Sequence, residues 1–190
     1  ILLGNPNESL YTKRQKIIEY CENNPMIDFN LYGMDWDNIN CKPGLINKFL
    51  QIANNSGFWS LKRKLKLSNY RGQLKNKFEI LCNSKFNICF ENISNYPGYI
   101  SEKIWDSIAA GSIPVYWPSW EIPNKYIPNE YFIDASKFKN PKDLFKYLES
   151  ITDEEIMQWS NMLIDFSKTK KDQISIEKYS EIIIEQMKTS

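Results

Sequence analysis

The chain has 190 residues, 42% hydrophobic and 25% charged, enough for one sizeable core and too few for two comfortable domains. Its 24 basic and 23 acidic residues leave a net charge of +1, without the basic footprint of a nucleic-acid binder, so no nucleic-acid partner is expected. Histidine is absent, which excludes Ser-His-Asp and Cys-His constellations, His-ligated zinc and any imidazole acid or base within this sequence.

In chain order, the apolar run Ile1 to Gly4 reads as a buried strand ended by the turn cluster Asn5-Pro6-Asn7. An opening of this kind, without Met, suggests one domain or fragment of a longer protein. Ile17, Ile18 and Cys21 share a face of a helix expected from about Lys13 to Asn23, which Asn24-Pro25 stops. Alternation of Ile27, Phe29 and Leu31 predicts a second strand over Met26 to Tyr32. Between Met34 and Lys77 the pattern weakens. The alternating basic and apolar run Leu61 to Leu67 reads as a solvated edge rather than a phosphate site.

Helical spacing returns at Phe78 to Asn83, and Phe86 to Phe90 is suited to a buried central strand that ends in Glu91-Asn92. Ile104, Trp105 and Ile108 then form a helical face closed by Gly111 as a C-cap, before a strand over Ile113 to Trp117. A short strand is predicted at Tyr131-Phe132-Ile133. Asn140 and Pro141 begin a helix with Leu144, Phe145 and Leu148 inward, and Thr152 with Glu155 makes a capping box ahead of Ile156, Trp159, Leu163 and Phe166. A last helix carries Ile176, Tyr179, Ile183 and Met187. Alternating strands and helices predict an α/β fold with a Rossmann-like, doubly wound parallel sheet, whose ligand sits beyond the carboxyl ends of the strands.

The cysteines, Cys21, Cys41, Cys82 and Cys89, show no C-x-x-C spacing and read as buried thiols in a reducing compartment, with a disulfide or two still open. No apolar run reaches the ~20 residues that span a bilayer, so the chain is expected to be soluble, without a membrane segment.

Neither G-x-G-x-x-G nor a Walker A sequence occurs. The chemistry is expected around Phe90-Glu91-Asn92, Tyr99 to Lys103 and Gly111 to Val115. There a strand ends in hydrogen-bonding side chains, and the next helix opens with Glu102 and Lys103 beside its free N–H groups. A helix N-terminus attracts phosphate, and a lysine in its first turn opposes the macrodipole unless an anion is close. Glu102 suits a sugar diol, because a carboxylate accepts two hydroxyl protons. Only three arginines stand against 21 lysines, so Arg14, in the first turn of its helix, is a candidate for bidentate phosphate binding. Taken singly, Glu102 and Lys103 read rather as a solvated helix start, Asn92 as a turn former and Tyr99 as a core aromatic, and Arg14 reads equally as a surface cation; their order and spacing together favour a site.

Lys85 to Asn92, Tyr99 to Trp105 and Ala110 to Tyr116, with Tyr131 to Asp134 and Lys139 to Leu144, together resemble the family 10 alpha-1,3/1,4-fucosyltransferases. That resemblance implies the C-terminal, donor-binding half of a GT-B fold, with residues 1–190 as a single domain and the acceptor-binding domain outside the chain. It implies GDP-fucose as donor, no metal or other cofactor, and a glycan acceptor met through the other domain. Arg14 and Lys103 would neutralise the diphosphate, Glu102 would bind ribose, Asn92 and Tyr99 would border phosphate and fucose, and Asn5 would lie near the nucleotide. The catalytic base of the family is a glutamate of the acceptor domain, so no catalytic residue is expected in this chain. Asn87 departs from the family's usual aromatic. The absence of a C-terminal cysteine pair, with the Lys, Asn and Ile-rich composition, points to a cytoplasmic microbial or viral protein, the Golgi lumen being expected for a eukaryotic one. An exostosin-like GT-B transferase and a non-catalytic nucleotide-sugar-binding or interaction module are the alternatives.

Overall fold

The structure, a computed structural model, describes residues 10–33, 67–120 and 126–174. The expected strand at Ile1 to Gly4, Asn5, Cys41, the basic run as far as Lys66 and the helix from Ile176 to Met187 lie outside the described residues. Within them the chain forms α1 (Tyr11–Glu22), β1 (Leu31–Tyr32), β2 (Tyr70–Gly72), α2 (Lys77–Cys82) and β3 (Phe86–Ile88). It continues with α3 (Glu102–Ala110), β4 (Ile113–Tyr116), β5 (Ile133–Asp134), α4 (Pro141–Ser150) and α5 (Asp153–Ile174).

The strands make two parallel sheets, β1 with β2 and a second in the order β3-β4-β5. With helices packed against these parallel strands, the architecture is the expected Rossmann-like α/β class. Strand β3, helix α3 and strand β4 form a crossover unit, with Phe86 opposite Ile113 and Ile88 opposite Val115. All four residues of β4 are buried, which is why a continuous apolar run sits at the centre of its sheet. Pro114 is tolerated there. Pairing with β5 begins only at Val115, so the N–H that proline lacks is not called for.

Helix α3 is packed on α5 and α1 on α4, with Tyr20 stacked on Phe145 at 5.4 Å. The core joins Ile17 and Cys21 of α1 to Ile104 and Ile108 of α3, Val115 and Tyr116 of β4, Leu144 and Phe145 of α4, and Leu163 of α5. The helix ends obey local chemistry. Ser101 caps α3, and Gly111 closes it in the left-handed region at φ 72°. Asn140 accepts from the Asp143 N–H at 3.0 Å to start α4. Thr152 and Glu155 exchange hydrogen bonds in both directions at the head of α5.

Three sequence expectations are corrected. The strand expected over Met26 to Tyr32 shrinks to Leu31–Tyr32, because a turn closed by the Ile27 N–H on the Asn24 carbonyl leaves Met26 96% exposed. Ile27 and Phe29 still pack on the core, without a strand ladder. Tyr131 belongs to a single 3-10 turn, Asn129–Tyr131, and stacks on Phe166 at 3.9 Å, so pairing starts at Ile133 instead. Cys21 and Cys89 are buried thiols as expected, whereas Cys82, on the last turn of α2, is exposed. Strand β2 lies in a stretch without sequence signal. Glu22, ending α1, accepts from the Ser68 N–H, the Ser68 hydroxyl and the Asn69 N–H, and this fixes the turn into β2.

Candidate functional site

Beyond β3 the chain runs on through Cys89, Phe90 and Glu91, all buried. Strand alternation aims Asn87, Cys89 and Glu91 at α3, and Phe90 the other way, edge-on to Trp117 at 5.5 Å. Asn87 donates to Ser107 of α3, which in turn donates to the Lys103 carbonyl. Asn87 thus joins sheet to helix.

Arg14 reaches the end of β3 from the first turn of α1. Its Nη2 donates to the carbonyls of Phe90 (2.7 Å) and Glu91 (3.0 Å) and to Oδ1 of Asn92 (2.7 Å). The Leu10 N–H donates to the Asn92 carbonyl at 3.3 Å, so backbone and side chain of α1 both grip this corner. Arg14 and Asn92, chosen separately from the sequence, are direct partners. Lys13, which the sequence reading passed over, lies with Nζ 4.8 Å from the centroid of the Trp117 ring. The adjacency of two cations in a helix's first turn was the signal that could have found it.

On the other side stands α3, whose first turn is organised by Glu91. This carboxylate is fully buried and accepts from the Ser101 N–H at 2.8 Å, the Ser101 hydroxyl at 2.8 Å and the Tyr116 hydroxyl at 2.7 Å. Nζ of Lys103 lies 3.5 Å from Glu91 Oε2 and donates to Ser101 Oγ at 2.9 Å. The anion that a first-turn lysine needs is therefore present in the protein itself. Burial, and then the hydrogen bond and charge of Glu91, push the Tyr116 hydroxyl pKa far up, so Tyr116 stays a donor. Burial likewise pushes the Cys89 thiol up to about 12.

Glu102 is exposed, with Oε1 3.9 Å from Lys103 Nζ. Tyr99 is half-buried in the loop before α3 and meets Tyr96 edge-on at 6.3 Å. That loop is tied to the bend that follows β4: the N–H groups of Asn95 and Tyr96 donate to the carbonyl and hydroxyl of Ser119. Arg14, Asn92 and Lys103 thus come together at the segment Phe90 to Asn92 just beyond β3, Glu102 lies beside Lys103, Tyr99 stands in the loop that leads into α3, and Asn5 lies outside the described residues. Sequence reasoning saw Glu91 as a polar strand end but missed its role. A carboxylate closing an apolar run and a tyrosine inside another apolar strand were the signal. A hollow of about 510 Å³ lies elsewhere, between Phe132, Phe138, Tyr147, Trp159 and Met162, and none of the five described candidate residues lines it.

The family model described as glycosyltransferase family 10 (fucosyltransferase) C-term matches residues 56–176, more than half of the chain. The chain belongs to glycosyltransferase family 10. Asn92, Tyr99, Glu102 and Lys103 fall inside the matched span, and Arg14 joins it through the three hydrogen bonds above. The alpha-(1,3)-fucosyltransferase FucT of Helicobacter pylori is 40% identical over 76 residues, 40% of this chain and 16% of that protein. The 4-galactosyl-N-acetylglucosaminide 3-alpha-L-fucosyltransferase 9 of Homo sapiens is 38% identical over 78 residues, 40% of this chain and 21% of that one. A crystal structure of an alpha1,3-fucosyltransferase with GDP-fucose aligns at 23% identity and a TM-score of 0.41, over 85% of this chain and 46% of that one. The aligned part of this chain spans about a fifth or less of each of these two curated relatives.

Proposed function

We propose that this chain is the donor-binding, C-terminal half of a GT-B inverting fucosyltransferase, which transfers L-fucose from GDP-fucose to a glycan hydroxyl, O3 of N-acetylglucosamine. Membership of family 10 supports the reading. The observation that carries it is the convergence of Arg14 and Lys103, from two different helices, on the end of β3. There two cations and the N-terminus of α3 would meet the diphosphate as negative charge gathers on the departing GDP, a task for preorganised charges. Glu102, exposed at the helix start, is free to accept from ribose hydroxyls, Asn92 and Tyr99 would border the phosphate and the fucose, and Asn5 would approach the nucleotide.

The donor needs no metal in this scheme, since side-chain cations supply the countercharge. The base that deprotonates the acceptor would come from a separate acceptor-binding domain that also holds the glycan. No nucleic acid takes part. The unpaired thiols of Cys21, Cys82 and Cys89 support a reducing, cytoplasmic setting in a microbe or virus.

Calorimetry with GDP, GDP-fucose and UDP, with and without EDTA, tests the reading, alongside a transfer assay on N-acetyllactosamine. GDP and GDP-fucose should bind equally well in EDTA, UDP should bind weakly, and the isolated chain should transfer no fucose. Preference for UDP would point to another nucleotide-sugar transferase, turnover by the chain alone would overturn the division of labour, and loss of GDP binding in EDTA would require a metal.

A further inference from the structure

We propose that Glu91 is a positioning residue of the donor site: its buried carboxylate holds the Lys103 ammonium at the head of α3 and so sets where a diphosphate is met. The inference rests on the donor-binding reading above. A lysine in the first turn of a helix is repelled by the positive end of the macrodipole, and alone it would extend into solvent. Lys103 does not: its side chain is 23% exposed, with Nζ 2.9 Å from Ser101 Oγ and 3.5 Å from Glu91 Oε2. Of the three N–H bonds an ammonium carries, one is directed at Ser101 Oγ, while Glu91 at 3.5 Å and the exposed Glu102 at 3.9 Å are ion-pair neighbours, so donor capacity remains for an incoming oxygen.

The anchor is itself fixed from two elements. Ser101 offers its N–H and its hydroxyl from the start of α3, and Tyr116 offers its hydroxyl from β4, so the carboxylate has little freedom. A carboxylate needed only to cap α3 would be served by Ser101 alone, which already accepts from the Lys103 N–H at the N-cap. Glu91 adds a charge, and the charge faces the lysine.

The test is a double-mutant cycle on GDP binding with Glu91→Gln and Lys103→Ala. Glu91→Gln should weaken GDP about tenfold in the otherwise wild-type chain, the scale of one charge-assisted hydrogen bond, and less than twofold in the Lys103→Ala background. Equal losses in both backgrounds would overturn the proposal, since a merely structural carboxylate acts without Lys103. Tyr116→Phe, which removes one donor to Glu91 but keeps the charge, should show the same dependence on Lys103 and serves if Glu91→Gln does not fold. Acylation of Lys103 by an amine reagent, read by mass spectrometry without nucleotide, separates this idea from the donor reading. Labelling should rise severalfold in either variant while Lys85 is unchanged. If GDP fails to bind the wild type but labelling responds, the donor reading falls and the Glu91 hold on Lys103 stands; if labelling does not respond, the hold itself is wrong.

Discussion

Two helix N-termini flank the end of β3, and they are built in opposite ways. Helix α3 starts with a serine cap, an acid in its first turn and a buried carboxylate against it. Helix α1 starts at Leu10 without a side-chain cap, with no acid in its first turn and with Lys13 and Arg14 there. The first arrangement satisfies its helix from within the protein. The second gathers positive charge at a helix end that already carries it, at an energetic cost. In the proposed donor site α1 would therefore bring cations held by no acid of its own first turn, while α3 would bring one cation that a buried carboxylate holds in place.

The comparison breaks most readily at Arg14. Arg14→Ala removes donors to two carbonyls and to Asn92, so GDP affinity should fall by ~2 to 3 kcal/mol, while guanosine, lacking phosphate, should bind almost as before. Equal loss for both ligands in calorimetry would place Arg14 at the base or ribose. On the α3 side, Glu102→Gln should leave thermal stability nearly unchanged and weaken GDP by ~1 to 2 kcal/mol, without altering affinity for 2′,3′-dideoxy-GDP. A matching loss for the dideoxy nucleotide would withdraw the ribose role. The smallest effect belongs to Ser101→Ala, which deletes the cap and the hydroxyl between Lys103 and Glu91. It should cost ~1 kcal/mol in denaturant melts, and an unchanged midpoint would show that Glu91 alone suffices to start α3.

Legibility in the sequence followed the range of the interaction. Asn140, Thr152 with Glu155, and Gly111 were readable because each acts on residues within a turn of itself. The misread strands at Met26 and Tyr131 were short apolar groups, where periodicity cannot separate a strand from a chain segment that lays side chains on the core without pairing. The pairing of Arg14 with Asn92 spans 78 positions, and the sequence pointed only to a shared edge and, through the family resemblance, a shared phosphate, not to a direct bond between the two. Glu91 was the hardest case. Its partners lie 10 and 25 residues away on different elements, so that nothing local marks it as more than a polar strand end. For Lys103 the first-turn position called for a nearby anion, read from the sequence as a bound phosphate, and the structure puts the carboxylate of Glu91 beside it.

Gly111 has a bearing on how this protein can be varied. A Cβ built there would come 2.7 Å from Ser160 Oγ and 3.0 Å from Ile164 Cδ1, both on α5, in a backbone conformation that L side chains rarely adopt. Substitution is therefore opposed twice, by the turn and by the neighbour. Smaller groups at Ser160 and Ile164 could relieve the crowding but not the dihedral strain, so a combinatorial library over the three positions should return diversity at 160 and 164 and glycine at 111. Where α3 meets α5, shape tolerance thus resides in the long helix, while the one-residue bend that sends the chain into β4 strongly favours glycine.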